Sequence, residues 1–251
     1  MRPGAVVASR GDSGRAFALA SVTKLLTASA VLVAAEEGIL ELNEPAGPPG
    51  ATVRHLLAHA SGLPPEQRAP ITRPAGQRIY SNAGYELLGE LVEARAEMPF
   101  TTYLRVGVLE PVRMTAVRLA GSPASGAWGT LDDLLAFGQQ LLRPTFVAPE
   151  TLAEATAVAF PGLPGVLPGF GRQEPNDWGL GFELRGGKSP HWTGGLNSPR
   201  TFGHFGRSGA FLWVDPEAGI ALACLTDLEF GDWAKDAWPK LSDAVLSISR
   251  R

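Results

Sequence analysis

The chain has 251 residues, of which 45% are hydrophobic and 19% charged, and its formal net charge is −3. These values are typical of a soluble globular protein with a sizeable core. They include no lysine- and arginine-rich patch of the kind that binds nucleic acid or an anionic membrane surface, so we expect neither partner.

The beginning of the chain shows no secretory signal and no membrane span. Residues 1–19 contain four charged side chains and no uninterrupted apolar stretch, and the longest apolar stretch, residues 28–35, is far too short to cross a bilayer. If the sequence is complete at its start, we expect a cytoplasmic protein. The single cysteine, Cys224, allows no internal disulfide and is expected to pack as a small hydrophobic residue.

The first predicted elements are a β-hairpin and a helix. Residues 5–8 and 16–19 have strand patterns on either side of a turn at residues 11–14. From residue 21 to residue 37 the apolar side chains recur at helical spacing, and Gly38 follows as a stop signal. The segment is apolar nearly all round, which predicts a buried helix.

Helices dominate the middle of the chain. Thr130 and Asp133 have the spacing of a capping box at the start of one of them. The glycine- and proline-rich residues 160–177 predict a long surface loop, either a lid or a plain connector. The predicted helices are residues 52–60, 83–97, 100–109, 130–142 and 149–156.

Strand patterns follow in quick succession, and a final helix closes the chain. The last two strands are joined by a turn at residues 215–219, and Pro239 is expected to kink or break the final helix, residues 232–249. The predicted strands are residues 179–184, 200–206, 209–214 and 220–225. These patterns favour a single α+β domain, 1–251, with a sheet lobe at about 1–45 and 178–251 and a helical lobe at about 46–177.

Ser21 and Lys24 form the first segment that suggests chemistry. A serine at a helix start lies beside backbone N–H groups and the positive end of the helix. A lysine three residues later lies on the same face and can reach the serine oxygen. The pattern alone occurs often by chance, but a lysine within a strongly apolar helix is costly to bury without a partner.

Two further segments carry polar groups that fit the same chemistry. Tyr80 and Asn82 precede a predicted helix, and a tyrosine becomes a base only beside cations that stabilise its phenolate. His204, Gly206 and Arg207 lie at the end of a predicted strand. Because glycine lets a substrate approach the backbone, the N–H groups of Arg207 and the nucleophile could form an oxyanion hole.

Together the segments resemble the serine β-lactamase and penicillin-binding-protein superfamily, in particular its branch of class C β-lactamases, DD-peptidases and family VIII esterases. That branch combines Ser-x-x-Lys with Tyr-x-Asn and a third motif of the His-x-Gly type. The matching blocks cover nearly the whole chain in the same order, and they are residues 20–24, 55–63, 80–85, 203–206 and 213–216.

The resemblance implies an α+β fold whose mainly antiparallel sheet is flanked by helices, and an acyl-enzyme hydrolase without metal or cofactor. It makes Ser21 the nucleophile, Lys24 its partner and Tyr80 the general base. The sequence itself does not decide whether Lys24 or Tyr80 removes the proton, and we expect the two to titrate as a coupled pair. Asn82 and His204 become substrate-binding groups. The implied substrate is a small ester, β-lactam or D-amino peptide, and the implied assembly is a monomer or homodimer.

Two departures from the family pattern affect the expected activity. Only twenty residues precede Ser21, where relatives usually carry an extra helix and more strand. Phe205 stands where threonine is common, which removes a hydroxyl that could bind a β-lactam carboxylate, and Arg207 is the candidate to compensate for it. These departures favour a carboxylesterase over a good β-lactamase. They also leave open a binding or sensor module that is acylated without turnover.

Other motifs carry competing interpretations. His55 and His59 have the spacing of a helical metal pair, but no nearby glutamate or cysteine completes a site, so structural roles are favoured. The chain has no Gly-x-Ser-x-Gly sequence, which argues against an α/β-hydrolase. Trp192 either walls the acyl pocket or packs in the core, and the sequence does not decide between the two.

Overall fold

The structure, a computed structural model, describes residues 6–249. It is a mixed α+β fold with antiparallel strands and a helical middle, as predicted. The helices are α1 (Thr23–Glu36), α2 (Val53–Leu57), α3 (Asn82–Ala96), α4 (Phe100–Leu104), α5 (Glu110–Val112), α6 (Leu131–Leu142), α7 (Pro149–Ala155) and α8 (Asp232–Ser249). The strands are β1 (Phe17–Ala18), β2 (Arg118–Leu119), β3 (Ala127–Gly129), β4 (Gly165–Leu167), β5 (Gly171–Gln173), β6 (Glu183–Leu184), β7 (Phe202–Phe205), β8 (Phe211–Asp215) and β9 (Ile220–Cys224).

Helix α1 is the central element of the core. Every side chain from Thr23 to Ala34 is buried, which confirms the prediction of a buried helix from a segment that is apolar nearly all round. The helix begins differently from the prediction, because Ser21 lies in a short 3₁₀ turn, Ala20–Val22, that leads into α1. The nucleophile candidate is therefore held by a tight turn at the mouth of a buried helix.

Strands β6 to β9 form a four-stranded antiparallel sheet in chain order. Alternation along β8 separates two apolar layers, because Leu212 and Val214 face one cluster while Phe211 and Trp213 face the other. Helix α6 packs on the first side, and α8 covers the second side through Trp238, whose ring centroid lies 5.0 Å from that of Phe211.

The predicted N-terminal hairpin is wrong in its described part. Residues 6–8 form no strand, and Ala5 lies outside the described residues. Strand β1 pairs instead with β3, and this sheet has the order β1-β3-β2. The physical reason is that β1 pairs with β3, more than a hundred residues later, while residues 6–11 stay exposed, the apolar Val6 and Val7 included.

Three further differences concern the second half of the chain. The predicted loop at residues 160–177 contains a hairpin, β4–β5. The strand expected at residues 179–184 is reduced to β6, because Gly181 has a φ of +96° and lies against Ala28, where a Cβ would collide. Helix α8 runs through Pro239 without a break.

The predicted capping box is confirmed. Thr130 and Asp133 form the capping box at the start of α6, with Thr130 N donating to Asp133 Oδ2 at 3.0 Å. Cys224 is a free thiol, half-buried rather than fully enclosed, and burial raises its pKa to about 11. None of the helices within residues 6–249 has the length and apolar character that a bilayer crossing requires.

Candidate active site

Ser21 is presented at the edge of a pocket by a strained turn. The preceding Ala20 has a φ of +44°, a left-handed conformation that costs a non-glycine residue free energy and is often found at functional sites. Gly206, just after β7, lies directly against this turn. A Cβ at Gly206 would lie 2.5 Å from the Leu19 carbonyl oxygen and 3.2 Å from Ser21 N, so only glycine fits without displacement.

Lys24, in the first turn of α1 and three residues after Ser21, is fully buried. Its Nζ donates to Asn82 Oδ1 at 2.6 Å and to the Ala124 carbonyl oxygen at 2.9 Å. It also lies 4.6 Å from the centroid of the Tyr80 ring. Burial disfavours the charged amine and lowers the pKa of Lys24 to about 7, although Glu66 and Glu86 act in the opposite direction. A substantial neutral fraction therefore exists at neutral pH.

Tyr80 lies in the loop before α3, as predicted. Burial raises the pKa of Tyr80 well above its usual value, while contact with the Ser21 side chain lowers it by a smaller amount. The phenol oxygen is buried and makes no hydrogen bond of ordinary geometry with residues 6–249. It is therefore a neutral phenol close to the serine hydroxyl, with its hydrogen-bonding capacity still available.

His204 on β7 is a neutral hydrogen-bond acceptor. Its Nδ1 lies 2.7 Å from the Phe205 carbonyl oxygen, and since a carbonyl only accepts, Nδ1 carries the proton and donates. Burial, assisted by Lys24, lowers the pKa of His204 to about 3. Its Nε2 is thus a bare acceptor, buried and without a partner in the described part of the chain.

These groups surround one pocket of about 320 Å³. Its rim includes the tip of the β4–β5 hairpin, so the segment considered as a lid forms one wall. Aromatic side chains make up much of the remaining wall. The lining residues are Ser21, Pro65, Glu66, Tyr80, Asn82, Leu167, Pro168, Gly169, Trp178, Glu183, His204, Phe205, Arg207 and Phe230.

The pocket brings together most of the predicted site residues. Ser21, Tyr80, Asn82, His204 and Arg207 line it directly, while Lys24 and Gly206 lie immediately behind it. Trp192 is not brought to the pocket. It is buried behind Phe205, and the wall position is occupied by Trp178.

Behind the pocket lies a buried charged network that the sequence analysis missed. Glu183 accepts from Trp192 Nε1 at 2.9 Å, contacts His191 Nε2 at 3.0 Å and pairs with Lys188. Burial alone would raise the pKa of Glu183, but Lys188 and His191 lower it. The network anchors the wall, and no spacing in the sequence signals it.

Glu66 is the other pocket residue that was missed. Its Oε1 accepts from Asn82 Nδ2 at 2.6 Å, so Asn82 links an exposed carboxylate to the buried amine of Lys24. The sequence feature that could have pointed to Glu66 is its position directly after Pro64-Pro65, in the loop that follows the matching block at residues 55–63.

His55 and His59 have separate structural contacts. His55 Nδ1 accepts from Thr52 N in the capping box of α2, and His59 Nδ1 accepts from Ser81 N at 3.1 Å. Within residues 6–249, no group of three or more histidine, cysteine, aspartate or glutamate side chains forms a candidate metal site.

Comparison with known proteins identifies the family. The β-lactamase family model matches residues 9–245. The chain belongs to the β-lactamase family. A β-lactamase structure from Mycobacterium bovis is 55% identical, superposes with a TM-score of 0.97, and the match covers 98% of this chain and 92% of that one.

Other similar proteins are more distant. Penicillin-binding protein 4* of Bacillus subtilis is 27% identical over 179 residues, which is 57% of this chain and 39% of the relative. The chain thus spans about two fifths of the length of this curated relative. Simvastatin synthase from Aspergillus terreus shares the fold, with a TM-score of 0.76, 18% identity, and coverage of 96% and 86% of the two chains.

Proposed function

We propose that this β-lactamase-family protein is a serine hydrolase that forms an acyl-enzyme on Ser21 and cleaves small esters, with amide and β-lactam bonds as further candidates. The observation that carries the proposal is the buried amine of Lys24, whose pKa is about 7, beneath a serine at the mouth of a pocket. A buried lysine costs free energy, and Lys24 has only neutral hydrogen-bond acceptors, whereas the buried Lys188 pairs with a carboxylate; such strongly shifted groups in a pocket are typical of functional sites.

The hydrogen bonds of Lys24 favour it as the base for acylation. A neutral amine has two N–H groups and one lone pair. The carbonyl oxygens of Asn82 and Ala124 take both N–H groups, so the lone pair is left for the Ser21 proton. Tyr80 is less suited to this first step, because burial disfavours its phenolate.

The proposed reaction has two steps, acylation of Ser21 and hydrolysis of the acyl-enzyme, and each passes through a tetrahedral intermediate. Ser21 Oγ attacks the substrate carbonyl carbon while its proton passes to Lys24, and the backbone N–H groups of Ser21 and Arg207 stabilise the oxyanion. Collapse breaks the bond to the leaving group, which receives the proton through the Tyr80 hydroxyl. Water then attacks the acyl carbon and passes a proton to Lys24; the bond between the acyl carbon and Ser21 Oγ breaks, Oγ takes the proton back, and the carboxylic acid leaves.

The pocket favours an ester without a carboxylate group over a β-lactam. Phe205 contacts the rings of Phe170 and Phe230, with centroids 5.8 and 4.9 Å away, so the third motif contributes an aromatic wall and no hydroxyl. Neutral His204 accepts a hydrogen bond and does not attract a carboxylate. Arg207 remains as a cation, but its side chain is 86% exposed.

Hydrolysis of p-nitrophenyl acetate and of nitrocefin tests the proposal. We expect steady turnover of the ester, abolished in Ser21→Ala and reduced at least about a hundredfold in Lys24→Ala. Ser208→Ala, which removes a neighbouring hydroxyl, is the matched control and should retain activity. A stable adduct on Ser21 without turnover would instead favour the sensor module. Hydrolysis that survives Ser21→Ala would refute both.

A further inference from the structure

The pocket carries an unneutralised negative charge. Glu66 is exposed and lines the same pocket as Ser21. One carboxylate oxygen is held by the Asn82 amide, which is uncharged. Within residues 6–249, no lysine, arginine or histidine nitrogen approaches the Glu66 carboxylate within 4.0 Å. A carboxylate oriented by a half-buried amide and left without a cation has a free charge to offer a substrate.

The remaining polar groups of the pocket do not offset this charge. The other acceptor, His204 Nε2, is buried, unpartnered and bare. The pocket's exposed cation, Arg207, extends into solvent and lies 3.8 Å from Glu229, which partly neutralises it. The buried amine of Lys24 lies behind Asn82 and is largely neutral above pH 7, so under those conditions it does not offset the Glu66 charge that a substrate meets.

The walls of the pocket also suit a positive charge. Tyr80, Trp178, Phe205 and Phe230 all line it, and the faces of aromatic rings attract organic cations. A site with aromatic walls and one carboxylate binds quaternary or primary ammonium groups in preference to neutral groups of the same shape. Glu66 and the aromatic walls are separate features of the pocket that favour the same ligand.

We propose that the pocket selects substrates that carry an organic ammonium group, with Glu66 as the residue that recognises it. The inference rests on the proposed hydrolysis at Ser21 and narrows its substrate class. The ammonium group belongs to either the acyl part or the leaving group of the ester, and the two sources share the same chemistry at Glu66.

Two pairs of isosteric esters separate charge from shape. The acyl pair is the p-nitrophenyl esters of 4-(trimethylammonio)butanoic acid and 5,5-dimethylhexanoic acid. The leaving-group pair is acetylcholine and 3,3-dimethylbutyl acetate. In each pair a nitrogen replaces a carbon, so the ratio of the two kcat/KM values reports the contribution of the positive charge. Measurement at pH 8 keeps Lys24 mostly neutral, and the ratio cancels the remaining effect on its protonation.

Glu66→Gln is the decisive variant, because its amide oxygen still accepts from Asn82 while the charge is lost. In at least one pair, we expect the wild type to have a kcat/KM about five times higher for the cationic ester than for its neutral isostere. This preference should be lost in Glu66→Gln and reversed in Glu66→Lys. Glu150→Gln, which removes an exposed carboxylate on α7, should leave the ratio unchanged.

The possible failures are distinguishable. If Ser21-dependent hydrolysis occurs but the ratio is the same in the wild type and Glu66→Gln for both pairs, the ammonium site is refuted and the hydrolase proposal stands. If p-nitrophenyl acetate is hydrolysed in a Ser21-dependent way but none of the four esters is, the ammonium site is again refuted alone. If neither p-nitrophenyl acetate, nitrocefin nor any of the four esters is hydrolysed in this way, the proposed function is refuted, and the substrate class with it.

Discussion

Burying Lys24 should make the stability of the fold depend on pH above neutrality. In the unfolded chain the pKa of Lys24 is near 10.5, and in the folded protein it is about 7. Between these two values the unfolded chain binds more protons than the folded protein. The free energy of unfolding therefore rises with pH from about 7 to about 10.5.

The magnitude follows from the two pKa values. Folding with Lys24 costs about 4 kcal/mol at pH 7 and about 2 kcal/mol at pH 9, because the amine must lose its proton on burial. Lys24→Met has a similar length and no charge, so it removes this cost. It also leaves two acceptors, Asn82 Oδ1 and the Ala124 carbonyl, without their donor, but that loss does not change with pH.

Urea unfolding of the wild type and Lys24→Met at pH 7 and pH 9 isolates the effect. The wild type should gain about 2 kcal/mol relative to Lys24→Met between the two pH values. The titration of every other group contributes equally to both proteins and cancels, unless Lys24 shifts a pKa into the range from 7 to 9. The neighbouring His204, whose pKa is about 3, lies far below that range. A difference that is the same at both pH values would show that Lys24 keeps an ordinary pKa, and the proposed base would lose its physical support.

Three further predictions concern rate and stability. Ester kcat/KM should fall about tenfold per pH unit below about pH 7, as the proposed base Lys24 becomes protonated. Glu66→Gln should move this acidic limb of the pH profile to lower pH, since Glu66 raises the pKa of Lys24. A rise in kcat/KM that begins only above pH 9 would contradict this and indicate a tyrosine base. Gly206→Ala should lower kcat/KM at least about tenfold, because the added Cβ collides with the turn that holds Ser21. Gly187→Ala, where the added Cβ meets open space, should match the wild type, and equal rates in the two variants would refute the collision. Arg78→Met should lower the free energy of unfolding in urea by about 3 kcal/mol or more, because the buried guanidinium donates to four carbonyl oxygens. A decrease below about 1 kcal/mol would show that those carbonyl oxygens find other hydrogen-bond donors.

The convergence of Ser21, Lys24 and Tyr80 could be predicted because local patterns and a family resemblance agreed. The buried character of α1 follows from apolar residues on all its sides, and a lysine in that helix already required a special environment. The capping box of α6 is likewise a local signal, since both partners lie within four residues. Features determined by short stretches of chain are the ones that the sequence analysis predicted well.

The errors concern pairings between distant residues. Strand β1 consists of two residues, and its partner β3 lies about 110 residues later, so no local pattern marks the pairing. The shortening of β6 depends on the close approach of Gly181 to Ala28, a tertiary contact. In the same way, Trp178 rather than Trp192 walls the pocket because Glu183 holds the Trp192 indole behind it.

The site residues that escaped prediction carry little sequence signal for a similar reason. Glu66 has the composition of an ordinary surface loop, and only its hydrogen bond to Asn82 shows that it belongs to the pocket. The network of Glu183, Lys188 and His191 spans short sequence distances, but nothing in the spacing indicates that all three are buried together.

Covalent labelling tests the central claim most directly. The native chain is treated with a fluorophosphonate, its intact mass is measured, and the modified peptide is sequenced by tandem mass spectrometry. We predict one adduct per chain, located on Ser21, absent from Ser21→Ala and retained by Ser208→Ala. An adduct on another residue, or labelling that persists in Ser21→Ala, would contradict the assignment of Ser21 as the nucleophile.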